Sequence, residues 1–120
     1  MATFGIEIAE LGPGWIEFTF APPVGFTQQD GFIHAGVVAT ALDSACGYAA
    51  MSLAAPDDRV LTTGYKIDLL RPANSTRYRA RGWVVKPGRK LTVASAELLG
   101  SHGKPVAIMT GTIMVVNTPS

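Results

Sequence analysis

Apolar and polar positions along the chain follow two different periods, and these divide it into elements. Ile16, Phe18 and Phe20 alternate with Glu17 and Thr19, the period of two that puts one face of a strand in a core. The segment Phe4–Glu10 alternates in part, and Gly12-Pro13-Gly14 separates the two runs, so a β-hairpin is predicted. Pro22-Pro23 stops the second strand, and a polar stretch from Thr27 to Gly31 follows. Residues 35–54 then lose the period of two. They are rich in Ala, contain no Pro and end before Pro56-Asp57-Asp58, which predicts one long helix. It is apolar on almost every side, the pattern of a buried helix, and its small residues let other backbones approach closely. Four strand-like runs complete the chain: Arg59–Leu70, Tyr78–Lys86, Leu91–Leu99 and Pro105–Val116. In the first of these, Leu61, Thr63, Tyr65, Ile67 and Leu69 recur with period two. Short connections predict antiparallel pairing. The sum is an α+β domain over residues 1–120, about six antiparallel strands with one central helix.

Composition narrows the function classes. The chain has 120 residues, 48% apolar and 16% charged, which suits one globular domain rather than disorder. A net charge of +1 gives no general pull toward nucleic acid or membrane. Cys46 is the single cysteine, so no internal disulfide forms, and no Cys/His spacing suggests a metal site. No basic segment leads into an apolar core at the N-terminus, where Glu7 and Glu10 stand, so a secretory leader is not expected. The stretch Ala35–Ala55 is long enough to span a bilayer, but it carries Asp43 at its middle and has few large aliphatics. A soluble, cytoplasmic protein is expected.

Three features carry candidate chemistry. Asp43 is a carboxylate in the middle of an apolar helix, where it is either functional or held by a neighbouring hydroxyl at a helix edge. The small-residue turn His34-Ala35-Gly36 opens the helix, whose first amides have no partner within the helix and can polarise a carbonyl. Arg71, Arg77, Arg79, Arg81, Lys86, Arg89 and Lys90 hold seven of the ten basic residues, with no acid between 71 and 90. They are read either as a solvated strand face or as contacts for an anionic ligand; no aromatics interleave as a nucleic-acid platform requires. Trp15 and Trp83 are read as core or sheet residues. Tyr48 and Met51 are read as core or as lining for a ligand, Cys46 as a small core residue, and His102 as an exposed turn residue.

Taken together, Gln28-Gln29-Asp30-Gly31-Phe32-Ile33-His34-Ala35-Gly36 followed by Asp43-Ser44-Ala45 resembles the His-Gly-Gly…Asp signature of the phenylacetic-acid-degradation-type hot-dog thioesterases. The run Thr62–Leu70 ending in Arg71-Pro72, and the turn Lys86-Pro87-Gly88-Arg89-Lys90, are similar to further motifs of that family. The resemblance implies a hot-dog fold and hydrolysis of an acyl-CoA thioester, with no cofactor and no metal. It implies Asp43 as general base or nucleophile, and the amide of Ala35 or Gly36 as the group polarising the carbonyl. Gln28 falls at an assisting amide position, Thr62 at a position that orients water, and His34 in a supporting role. Arg71, Gly88, Arg89 and Lys90 fall where coenzyme A is held. Ala35 departs from the pattern by replacing the first glycine, which matters only if that position needs positive φ. A non-catalytic acyl-CoA or lipid-binding module and a hot-dog hydratase or dehydratase are the alternatives.

One consequence does not depend on the resemblance. Gly36 and Asp43 lie seven residues apart on one helix, a rise of ~10 Å. Both cannot readily touch one carbonyl carbon, whereas two antiparallel copies of the helix bring one chain's N-terminus beside the other chain's Asp43. A homodimer or homotetramer with sites at the dimer interface is therefore expected.

Overall fold

The computed structural model describes residues 6–22 and 35–116. Six strands and one helix occur in the order β1 (Glu7–Gly12), β2 (Trp15–Phe20), α1 (Ala35–Met51), β3 (Arg59–Leu69), β4 (Tyr78–Lys86), β5 (Leu91–Leu99) and β6 (Pro105–Val116). All six strands form one antiparallel sheet in the order β1-β2-β4-β5-β6-β3, and α1 packs on one face of it. No helix among the described residues is long and apolar enough to cross a membrane.

The core follows the alternation. Ile16, Phe18 and Phe20 of β2 face the helix with Tyr78 and Ala80 of β4, Ala94, Ala96 and Leu98 of β5, and Met109 and Ile113 of β6. Val38, Leu42, Ala45, Cys46 and Ala49 of α1 cover them. Phe20 stacks on Tyr78 with centroids 5.5 Å apart, and the buried Tyr78 hydroxyl accepts the Ser75 N–H at 2.9 Å. On the inner face Gly82 lets the helix come close, because a Cβ there would lie 2.4 Å from the Ala45 carbonyl oxygen.

Four details differ from the sequence-based expectation, each for a local reason. The helix ends at Met51 rather than at residue 54. Its last turn tightens, with Leu53 and Ala54 amides donating three residues back, while the Ser52 hydroxyl donates to the Ala49 carbonyl. β3 does not form a hairpin with β4. It crosses to the far edge and pairs with β6, and the extended Arg71-Pro72 link starts with the Leu70 and Arg71 amides both donating to the Val106 carbonyl. The regular alternation in β3 is interrupted by a bulge between Thr62 and Gly64. Thr62, opposite buried Ile113, and Ile67, opposite buried Met109, therefore share the helix side, while Leu61, opposite Met114, turns outward.

Finally, the helix is not buried all round within this chain. Gly36, Thr40, Tyr48 and Met51 are exposed on the side away from the sheet. The Thr40 and Ser44 hydroxyls satisfy themselves on the carbonyls one turn back, at 2.8 Å each, which lets polar residues sit there without breaking the helix.

Candidate active site

Helix and edge strand meet at Asp43. The carboxylate leaves α1 on the flank facing β3, and the β3 bulge turns Thr62 toward it. The Thr62 hydroxyl donates to Asp43 Oδ1 at 2.6 Å. Both side chains are half-buried and line a cleft of about 510 Å³ between α1 and β3. Ser44, Gly47, Tyr48 and Met51 continue its helix wall, and Val60 and Leu61 its strand wall. Thr63 has a different task. Its hydroxyl donates to the Thr112 carbonyl at 3.2 Å and so braces the bulge. Between the two threonines, the one available to hold a water beside Asp43 is Thr62.

Ala35 and Gly36 form the first turn of α1, with amides unpartnered by the helix itself. No residue other than glycine has positive φ among the described residues, so Ala35 occupies its place without backbone strain. Gly36 and Asp43 do lie on the same helix, separated by its ~10 Å rise. Gln28 and His34 lie outside the described residues.

The basic residues divide into two groups. Arg77, Arg79 and Arg81 lie on the outer sheet face among carboxylates from neighbouring strands: Arg81 Nε meets Glu17 at 2.8 Å and Arg81 Nη1 meets Glu97 at 3.5 Å, while Arg77 meets Glu7 at 3.4 Å. Glu17 and Glu97, remote in sequence, hold the Arg81 guanidinium above its ordinary pKa, the Glu17 hydrogen bond contributing most. This group is a solvated strand face. Arg71, Lys86, Arg89 and Lys90 make no ion pair among the described residues. Gly88, Arg89 and Lys90 line a separate cleft of about 440 Å³ with Asp58 and the helix end. Arg71 lies at the opposite end of the sheet, donating to the Pro105 carbonyl at 2.7 Å. One chain therefore does not bring Arg71 together with Arg89 and Lys90.

Cys46, one turn on from Asp43, is excluded as a nucleophile. Burial first, and the Asp43 charge second, push its thiol from 9.0 up to about 12. Native protein near pH ~8 is expected to show no thiol reacting with Ellman's reagent, and one per chain after denaturation. The same shift has a stability sign. Above pH 9.0 the unfolded thiol ionises while the folded one keeps its proton, so this residue withdraws stability progressively as pH rises toward about 12.

A half-buried carboxylate oriented by a hydroxyl in an open cleft is able to activate a water, and comparison with known proteins gives the class of protein. Residues 30–107 match the family model of the thioesterase superfamily. A thioesterase family protein from Silicibacter pomeroyi is 46% identical, superposes with a TM-score of 0.93, and is covered over 89% of its length by 98% of this chain. The medium/long-chain acyl-CoA thioesterase YigI of Escherichia coli K12 is 30% identical over 126 residues, which take in 92% of this chain and 81% of that protein. The PaaI protein of the E. coli phenylacetic acid degradation operon, at 22% identity, shares the fold with a TM-score of 0.88, covering 97% of this chain and 83% of its own. The chain belongs to the thioesterase superfamily. It is a thioester hydrolase with the hot-dog fold, as its motifs implied.

Proposed function

We propose that the protein hydrolyses an acyl-CoA thioester, with a small aromatic or short- to medium-chain acyl group, to the free acid and coenzyme A. The observation that carries this reading is the 2.6 Å hydrogen bond from Thr62 to Asp43 inside a cleft with apolar walls. With Oδ1 engaged, Asp43 Oδ2 is the oxygen left to take a proton from water held at Thr62. The water oxygen attacks the thioester carbon, and its proton passes to Asp43. Charge developing on the carbonyl oxygen is met by a helix-start amide, that of Ala35 or Gly36. The C–S bond then breaks and the thiolate leaves, recovering the proton from Asp43 or solvent. The acyl-CoA specificity named for YigI supports the coenzyme A moiety.

The second group at the carbonyl comes from a second copy of the chain. Two features support a two-fold dimer. The exposed face of α1 carries Gly36 and Thr40, and the outer edge of β3 is unpaired among the described residues, with Leu61, Tyr65 and Leu69 60%, 51% and 57% exposed. If β3 pairs with its own copy about Gly64, the partner's Arg71 comes opposite Asp57. That position adjoins the cleft holding Arg89 and Lys90, so basic residues remote in one chain join around the coenzyme A phosphates.

Thiol release from a panel of acyl-CoA substrates tests the activity. Tight binding without turnover would select a binding module, and water addition or loss at carbon would select a hydratase. Mixing tests the shared site. Gly36→Pro removes an amide at a first-turn position where proline is tolerated. Mixed with Asp43→Asn, it is expected to regain roughly a quarter of wild-type turnover, because half of randomly re-paired dimers carry one complete site. No recovery would place both groups in one chain.

A further inference from the structure

The cleft at Asp43 leads past the reacting centre. Asp43, Gly47 and Met51 form an i, i+4, i+8 row of α1, and such a row runs obliquely across a helix. Here it leads from the β3 flank over the exposed side of the helix. Gly47 is its low point, since a Cβ added there would meet no atom within 4 Å. Beyond Gly47, Tyr48 and Met51 also line a second cavity of about 180 Å³, closed by Ile8, Leu11, Trp15 and Ile16. The two cavities thus share a doorway.

The second cavity is built rather than incidental. Ile8 and Leu11 are three residues apart, yet both face the helix side, opposite Phe18 and Ile16, because β1 bulges between Ile8 and Glu10. The Gly14 amide donates to Ser52 Oγ at 2.7 Å, and that hydroxyl donates to the Ala49 carbonyl at 2.7 Å, tying the hairpin turn to the helix end. No charged side chain lines it, and Leu11 and Met51 remain 60% and 47% exposed. Apolar surface of this kind is stabilised by an apolar occupant.

We propose that this is the acyl path, taken by an unbranched aliphatic chain. The chain leaves the carbonyl at Asp43 and Thr62, crosses Gly47 and reaches the doorway between Tyr48 and Met51, where the tail of the longest chains accepted enters the cavity under β1. The proposal rests on the thioesterase reading and names its substrate class. A thioester has two arms, and their chemistry sorts them: the anionic coenzyme A arm has the cleft with Arg89 and Lys90, and the apolar arm has the uncharged cavity. Length narrows the class further. Asp43 and Met51 are eight residues apart, a rise of ~12 Å. An extended chain advances ~1.2 Å per bond, so about ten bonds reach the doorway. The occupant is a medium chain of about eight to twelve carbons. With the partner's Gly36 opposite Asp43, antiparallel helices overlap only from Gly36 to Asp43, so the partner's helix does not cover Gly47.

Chain-length profiles test the path. Straight-chain substrates from acetyl- to palmitoyl-CoA, with benzoyl- and phenylacetyl-CoA, are compared for wild type, Gly47→Val and Leu11→Trp, and the oligomeric mass of each is measured in parallel. Wild type is expected to prefer the medium chains. Gly47→Val is expected to lower the ratio of medium- to short-chain kcat/KM at least about tenfold, and Leu11→Trp to shorten the longest chain accepted, with dimers intact. An unchanged profile, an equal loss at every length, preference for the aryl substrates, or dissociation of the variants would overturn the path. Wild type inactive on every substrate would instead sink the thioesterase reading itself.

Discussion

Asp43→Asn is expected to lower turnover of the best acyl-CoA substrate by about a thousandfold, with the thermal transition little changed. The magnitude is that of removing a positioned general base, about a hundred- to ten-thousandfold. Asn suits the test because its side-chain carbonyl can still accept the Thr62 hydroxyl, now at 2.6 Å from Oδ1, so the cleft keeps its shape while losing the group that takes the proton. KM is expected to move little, because the substitution removes an interaction made in the transition state. Turnover measured by thiol release that equals wild type would mean another residue carries the chemistry. A variant that also fails to fold would be replaced by Asp43→Glu, which keeps the carboxylate but displaces it by one methylene. Its loss of turnover should be smaller than that of the Asn variant.

The largest effect on stability is expected at a residue with no side chain. Gly82→Ala places a Cβ 2.4 Å from the Ala45 carbonyl oxygen and 2.6 Å from its carbon. Both are helix backbone, which cannot swing aside as a flexible side chain would. The sheet must part from α1 along the row where Ala45, Ala80 and Ala94 are fully buried. Overpacking of a core costs about 1–3 kcal/mol, and a backbone obstacle belongs at the upper end. For a chain of this size, that lowers the melting temperature by ~10 °C. Calorimetry checks it, and an unchanged melting temperature would show that the helix lies farther from the sheet than described. Gly47 is the internal contrast: it has open space around it, and Ala there is expected to cost nothing.

Much of this architecture is legible in the chain, and what is not has identifiable causes. β4, β5 and β6 are bounded as their alternation predicts, because the alternation is regular and polar turns flank them. Asp43 stands out because a carboxylate inside an apolar helix needs an explanation, and Thr62 supplies one. The two edge strands are less legible. A bulge inserts one residue and inverts the faces beyond it, and nothing in Ile8–Leu11 or Thr62–Gly64 announces that insertion. The role of Arg77, Arg79 and Arg81 was open for another reason. Their counter-ions Glu7, Glu17 and Glu97 come from other strands, and only the sheet order brings them near. The exposed side of α1 looked like core because composition reports what a helix can bury, not which molecule covers it.

The place of β3 in the sheet also sets an order of events. This strand precedes β4, β5 and β6 in the chain, yet among the described residues its one sheet neighbour is β6, with Arg59 opposite Val116 and Leu69 opposite Ala107. As the chain is synthesised, β3 must wait for the last strand before it can dock. Contacts so distant in sequence are slow to form. Thr62 rides on β3, so it reaches Asp43 only when this late pairing is complete. A nascent chain can therefore close much of its hydrophobic core around β2, α1, β4 and β5 before Thr62 stands beside Asp43.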